Sequence, residues 1–321
     1  MNVKAMSEGA REGDSYVLVT PARNEAPYIQ ATLESVVSQT ILPRRWVIVS
    51  DGSSDDTDEI IGRYAKRYSF IDFVRRETQR RRDFASKVHA FNLGFSRLDG
   101  LNYGFVGNQD ADCSFGRDYY EQVLSMFAAN ECLGIAGGVY YECVGGSWLP
   151  QRTNTSWSVT GGIQLFRREC YEDVGGYLPL SQGGVDSAAE VMARLHGWEV
   201  RGNRALVVFH HRRTGCAKGG IWKARFVEGR QEYLLGYLLR FEVLKQLCRI
   251  TERPLLSGSV IKLAGYLSLW FVNAKRCLPD NAVRFLQQEQ KGRISALRSK
   301  AVLIRELKTL VFGTELRTRR H

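Results

Sequence analysis

The first two hundred residues predict an α/β fold with a mostly parallel sheet flanked by helices, and the rest predicts a basic α-helical C-terminal region. Three observations carry this. Short apolar runs alternate with amphipathic stretches, as strand-helix units require. Each run hands over to a polar loop rich in turn formers. From Ile221 the spacing is helical almost to the end, and the charge changes sign: residues 1 to 200 hold 20 Lys/Arg and 26 Asp/Glu, residues 201 to 321 hold 25 and 8.

In order, strands are expected at "YVLVT" (16 to 20), "WVIVS" (46 to 50), "IDFV" (71 to 74) and "YGFVG" (103 to 107). Helical spacing is found at Tyr28 to Gln39, Thr57 to Lys66 and Ser86 to Leu98; in the first, Ile29, Leu33, Val36 and Val37 make one apolar face. "LGIAGGVYYE" (133 to 142) reads as a strand whose glycines admit close backbone approach. Asp186 stands before Ala188, Val191, Met192 and Leu195, where a helix N-cap belongs. "ALVVFHHRRTG" ends a further strand in two histidines and two arginines. "LLSGSVIKLAGYLSLWFV" (255 to 272) has nearly the length of a membrane span, but it carries Lys262 and three serines, and reads as interfacial.

An apolar content of 44% in 321 residues suffices for one large domain or two and excludes disorder. Cys113, Cys132, Cys143, Cys170, Cys216, Cys248 and Cys277 include no Cys-x-x-Cys pair and leave one over. That argues against a zinc knuckle or a disulfide framework and fits a reducing compartment. The opening "MNVKAMSEGAREGDS" has no apolar centre, so it reads as a polar leader over 1 to 15 and not as a secretory signal.

Ligands of open α/β sheets bind beyond the C-terminal strand ends. Here those ends read "TPARNEAPY", "SDGSSDDT" and "NQDADCSF". In the last, Asp110 and Asp112 repel unless compensated. Either they form an ordinary turn or they serve a divalent cation, since hard oxygen ligands select Mg²⁺ and Mn²⁺. In the second loop, Asp55 and Asp56 read as caps of the helix from Thr57.

Together, "VTPARNEAPYIQATLESVVSQT", "WVIVSDGSSDDTDEII", "SKVHAFNLGFSRL", "GNQDADCSF", "GGIQLFRRECYEDVGGY" and "GGVDSAAEVMARLHGW" resemble the family 2 glycosyltransferases over roughly residues 16 to 215. The resemblance implies a GT-A type, Rossmann-like catalytic domain over 16 to 215, a nucleotide-diphospho-sugar donor and a divalent metal, Mn²⁺ or Mg²⁺. It implies Asp112 as the metal's protein ligand, with Asp110 on the ribose or on the metal through water. Donor contacts fall on Pro21, Ala22, Arg23 and Glu25 of the first loop, on Asp51, and on Lys87 within "KVHAFNLG". Asp186 becomes the general base of an inverting transfer, a role that capping does not exclude. His211 and Arg212, with His210 and Arg213, are assigned first to the diphosphate and second to the metal. Trp148 and Trp157 suit either a sugar acceptor or the core.

Two departures from the family pattern matter. Val185-Asp186 replaces the Glu-Asp of many members, and the Gln-x-x-Arg-Trp motif of processive polysaccharide synthases is absent, which favours transfer of one sugar. Residues 216 to 321 interleave Leu, Phe, Tyr and Trp with Lys and Arg, which suits an anionic membrane surface better than nucleic acid. The expectation is therefore a cytoplasmic enzyme, peripheral at the inner membrane face, acting on a hydroxyl acceptor that is a glycolipid or polysaccharide precursor. The competing readings are a nucleotidyltransferase, disfavoured because "TPARNEAPY" is no Gly-rich phosphate loop, and a catalytically silent membrane scaffold.

Overall fold

The computed structural model describes residues 15–77, 84–151, 155–212, 220–249 and 256–296. The leader up to residue 14, Arg80 to Arg82 and Arg213 lie outside the described residues. The chain divides into two compact units, one formed by 1–151, 156–181 and 185–213, the other by 152–155, 182–184 and 214–321.

The first unit is built on one mixed sheet. Strand β1 (Tyr16–Ala22) pairs in parallel with β2 (Arg45–Asp51) and with β4 (Phe105–Asn108), and β2 pairs in parallel with β3 (Ile71–Arg76). These strands read as continuous apolar runs because both their faces are covered. Val17, Leu18, Val19, Trp46, Val47, Ile48 and Val49 are all fully buried. Helices α1 (Ile29–Val37) and α2 (Thr57–Arg67) are the crossovers between parallel neighbours, and α3 (Phe84–Ser96) carries the chain from β3 past β2 and β1 to β4. Gly94 of α3 lies against β1 and β2 so closely that a Cβ there would stand 2.6 Å from Val19 Cγ1.

Beyond β4 the sheet becomes mixed. Its remaining strands are β5 (Cys113–Phe115), β6 (Leu133–Val144), β7 (Ser147–Pro150), β8 (Leu165–Arg167) and β9 (Glu199–His210), and the order is β3-β2-β1-β4-β8-β6-β9-β5, with β7 on β6. The expected strand at 133 to 142 is present, and its glycines do admit close approach: a Cβ on Gly137 would lie 2.6 Å from the Ile163 carbonyl oxygen. Helices α4 (Tyr119–Ala128), α5 (Arg168–Val174) and α6 (Val185–Leu195) complete this unit. One expectation is corrected here. Because α6 opens at Val185, Asp186 sits inside its first turn and is not the N-cap residue.

The order of strands explains the two carboxylates. β4 lies in the middle of the sheet and β5 at the far edge, so residues 109 to 112 must leave one and cross to the other. That crossing places Asp110, half-buried, and Asp112, buried, just past the end of β4. In the second unit, α7 (Gly220–Leu235), α8 (Leu239–Cys248), α9 (Ser257–Trp270) and α10 (Asp280–Ala296) are helices. Among the described residues, no helix is long and apolar enough to cross a membrane.

Candidate functional site

The loop after β1 is stitched to the loop after β2. Asn24 adopts φ 54°, in the left-handed region that Asn tolerates, and its Oδ1 accepts the Ser54 N–H at 2.8 Å. The Glu25 N–H donates to Thr57 Oγ1 at 2.7 Å and the Ala26 N–H to Asp55 Oδ2 at 3.1 Å. Asp55 also accepts the Thr57 N–H at 3.2 Å, whereas Asp56, at the N-cap position, makes no side-chain cap bond. Of the two carboxylates expected to cap α2, Asp55 does the capping and Asp56 does not. Burial works against the charged form of Asp55, but hydrogen bonds from Thr57 and Ala26 hold its carboxyl below the usual range.

Pro21 and Ala22 are the last residues of β1, and Arg23 begins the loop. Asp51 ends β2, is only 5% exposed, and its Oδ1 makes no hydrogen bond among the described residues. Arg76 Nε lies 3.6 Å from that oxygen. A buried acceptor left open is costly unless a ligand or water completes it. Asn108 Oδ1, at the end of β4, is in the same condition.

Each carboxylate of the Asp-x-Asp pair has its own cation. Lys87 Nζ lies 2.5 Å from Asp110 Oδ1. Burial tends to lower the Lys87 pKa, yet Asp110, Asp112 and Asp186 outweigh it and raise it, so the ammonium is held charged. Asp112 Oδ2 lies 3.4 Å from Arg212 Nε and 3.6 Å from His210 Nε2. Burial opposes ionisation of Asp112, but His210, Lys87 and Arg212 bring its pKa below the usual value. Arg212 also pairs with the buried Glu25 and lies over the Tyr28 ring at 5.2 Å, so it joins the first loop to the Asp-x-Asp segment.

His210 is itself gripped: its Nδ1 is 3.2 Å from Glu142 Oε1, and its ring stacks on Tyr140 at 4.7 Å. Burial pulls its pKa down, but Asp112 and Glu142 push it up to about 9, so in this arrangement it carries a proton. His211, the next residue, has its Nε2 2.8 Å from Ser114 Oγ and meets Trp148 edge-on at 5.6 Å. Successive side chains of a strand alternate faces. The sequence reading places His211 on the donor; of the two histidines the structure sets His210 beside Asp112 and His211 beside Ser114. In "ALVVFHH" both faces read as apolar, so the run does not show that Leu206, Val208 and His210 share the inward side.

Asp186 reaches the same place through two glycines. Its Oδ2 accepts the Gly161 N–H at 3.2 Å, while the Asp110 N–H donates to the Gly162 carbonyl at 2.8 Å. A Cβ on Gly162 would collide with the Tyr140 hydroxyl and the Asp110 carboxylate. This turn is fixed from below by Glu190, whose Oε1 accepts the Val159 N–H at 2.6 Å and Ser158 Oγ at 3.1 Å. Gly161 and Gly162 open "GGIQLFRRECYEDVGGY" and Glu190 lies within "GGVDSAAEVMARLHGW", yet the sequence reading assigns them no role, because their partners are distant in the chain. Trp157 is half-buried beside this segment. A cavity of about 460 Å³ lined by Leu98, Leu101, Tyr103 and Tyr177 lies toward the other end of β4 from the carboxylates.

The donor set suits a divalent cation. Ligand atoms of Asp112, Cys113 and His210 lie within 4.8 Å of one another. Burial pushes the Cys113 thiol well up, which keeps it protonated, so the useful donors are a carboxylate oxygen and the His210 imidazole, whose Nε2 proton a cation must displace in order to coordinate. That combination fits Mn²⁺, and the nearby Asp110 adds oxygen donors.

Comparison with known proteins gives the same fold. A mannosyltransferase from Pyrobaculum calidifontis, solved with GDP-Man and Mn²⁺, superposes with a TM-score of 0.50 at 19% identity, over 92% of this chain and 84% of that one. Poly-beta-1,6-N-acetyl-D-glucosamine synthase of Staphylococcus epidermidis is 29% identical over 248 residues, 70% of this chain and 56% of the synthase. The glycosyltransferase AglE of Haloferax volcanii is 26% identical over 174 residues, 50% of this chain and 55% of that protein. The chain thus spans little more than half the length of these curated relatives. The model of glycosyl transferase family 2 matches residues 17–181, more than half the chain, including the ends of β1, β2 and β4 with Asp110 and Asp112 but not His210 at the end of β9. The chain belongs to glycosyl transferase family 2.

Proposed function

We propose that the protein is an inverting, non-processive glycosyltransferase that moves one sugar from a nucleotide-diphospho-sugar to a hydroxyl acceptor. The observation that carries this reading is the Gly161-Gly162 turn, which ties the Asp186 carboxylate to the Asp110 backbone and so fixes a free-standing base beside the charge-collecting loop. Asp51 accepts hydrogen bonds from the base or ribose with its open Oδ1, beside Pro21, Ala22 and Arg23 of the neighbouring strand end. Lys87 and Arg212 bring positive charge to the diphosphate, Glu25 orients Arg212, and His211 borders this edge on Ser114. Asp112 and His210 would hold a Mn²⁺ or Mg²⁺ ion with Asp110 close by, and such an ion would supply Lewis-acid stabilisation to the departing diphosphate. Asp186 takes the proton of the acceptor hydroxyl as its oxygen attacks the anomeric carbon from the side opposite the diphosphate. The new C–O bond forms as the old one breaks, its electron pair leaves with the nucleoside diphosphate, and the configuration inverts.

The Mn²⁺ and GDP-Man of the Pyrobaculum structure support the cation and the donor class, and the synthase relative supports a glycan acceptor. Absence of the Gln-x-x-Arg-Trp motif supports single transfer. Catalysis is assigned to residues 16 to 215, and residues 216 to 321 to an anionic membrane surface on the cytoplasmic side. Asp186→Asn is expected to lower kcat by roughly a hundredfold or more while donor affinity changes little. The wild-type product, followed by NMR, is expected to carry one added sugar of inverted anomeric configuration. A retained configuration, or a kcat unaffected by the substitution, overturns the mechanism.

A further inference from the structure

Helix α9 is built inside out. Between Ser257 and Trp270 its only charged side chain is Lys262, and Lys262 is buried, with Nζ 2.8 Å from Glu232 Oε1 and 3.3 Å from Glu228 Oε2. The same inward face holds Gly258, Gly265, Tyr266 and Leu269. Gly265 and Gly229 let α9 and α7 cross in backbone contact, since a Cβ on either would strike a carbonyl of the other helix. The outward face is apolar. Leu256, Val260, Ala264 and Phe271 recur at helical spacing and are all exposed, Val260 by 63% and Phe271 by 74%. Trp270 and Val272 extend this stripe, at 43% and 70% exposure. A helix that faces water does the reverse, and an exposed run of this kind marks a surface that meets something else.

Charge says what that something is. Within the second unit, Glu232 and Glu242 are drawn inward onto Lys245 and Lys262, and Glu228 is shared by Arg225 and Lys262. Lys223, Arg240, Lys275, Arg284 and Lys291 stay exposed. Internal pairing thus consumes carboxylates and leaves these five cations on the surface of the same unit that carries the apolar stripe, against the exposed Asp280. At about 1.5 Å per residue, a helix of α9's length reaches ~21 Å, short of the ~30 Å hydrocarbon core of a bilayer. It suits a helix lying in the interface, with aromatic residues at headgroup level.

We propose that the outward face of α9, from Leu256 through Phe271 and Val272, lies in the surface of an anionic phospholipid bilayer. The proposal rests on the membrane-side reading given above and assigns the contact to one helix face. It is tested by flotation of the full chain with phosphatidylcholine vesicles and with equimolar phosphatidylcholine and phosphatidylglycerol vesicles, in the absence of donor and acceptor. Wild-type protein is expected to float with the anionic vesicles, and the double variant Val260→Glu, Phe271→Glu to lose at least about tenfold in partitioning while keeping its circular dichroism and its nucleoside-diphosphate affinity. Equal partitioning of wild type and variant overturns it, as does failure of the wild type to float. So does a wild-type dimer in sedimentation velocity that the variant converts to monomer, for then a second copy covers the stripe. Flotation by a protein that transfers no sugar upholds the bilayer contact and sinks the transfer reading, so the two fail separately.

Discussion

At Asp112 three cationic groups converge: His210, Arg212 and, at longer range, Lys87. Compensation of this density around one carboxylate is what the bare Asp-x-Asp of the sequence demanded without naming its source. The spacing of Asp110 and Asp112 was legible, and so was Lys87 in "KVHAFNLG" as a site residue, but its pairing with Asp110 was not: the sequence reading places it on the donor. The histidine was legible only as a pair, because which of two successive residues faces inward depends on the partner strand: Cys113 lies opposite His210 in the β5–β9 register. If Asp112 anchors the ion, Asp112→Asn should remove most of the Mn²⁺-dependent rise in Tm produced by a nucleoside diphosphate, measured against the variant's own unliganded Tm, which itself falls because His210 and Arg212 lose a charged partner. Thermal-shift measurement with and without Mn²⁺ checks this, and an undiminished Mn²⁺ effect rejects Asp112 as the anchor.

Elements that repeat a clear period are where sequence expectation and structure agree: β1, β2, β3, α1 and α2 lie within a residue or two of their expected bounds. β5 and β8 are three residues each and carry no period of their own; they are strands because β9 and β4 pair with them. The glycines of α7 and α9 belong to this scale as well. On Gly229 a Cβ would meet the Lys262 carbonyl and lie 2.9 Å from the Tyr266 nitrogen, so the two helix backbones must part to admit it. Gly229→Ala is expected to destabilise by about 2 kcal/mol. Gly292→Ala in α10, where nothing lies within 4 Å, is expected to stabilise by roughly 0.5 kcal/mol from helix propensity alone. Urea titrations of both variants test the contrast, and equal effects would remove the case for a tight crossing.

For the molecule as a whole, buried carboxylates set the dependence of stability on pH. Burial raises the Glu190 carboxyl to about 7 from its ordinary 4.5, against the opposing pull of Arg194 and the Val159 N–H, and burial with Glu232 nearby also raises Glu242 to about 7. The folded state therefore holds these protons more tightly than the unfolded chain. Their contribution is fully present below about 4.5 and is lost as pH rises towards 7. Asp112 and Glu232 are shifted the other way, so what they contribute is present above the usual carboxylate range and is lost in acid. Glu190→Gln keeps an acceptor for Val159 and should flatten the decline between pH 4.5 and 7 by on the order of 2 kcal/mol, read from urea midpoints across that range. An unchanged slope would show that Glu190 does not titrate there. The amino-acid sequence by itself determined the parallel half of the sheet, its polar strand ends and the reversal of charge, because period and composition are local properties. Only the tertiary structure decided that His210 and not its neighbour joins Asp112, that Gly161-Gly162 couples Asp186 to Asp110, and that Lys262 turns inward, because each depends on which residues far apart in the chain are brought face to face.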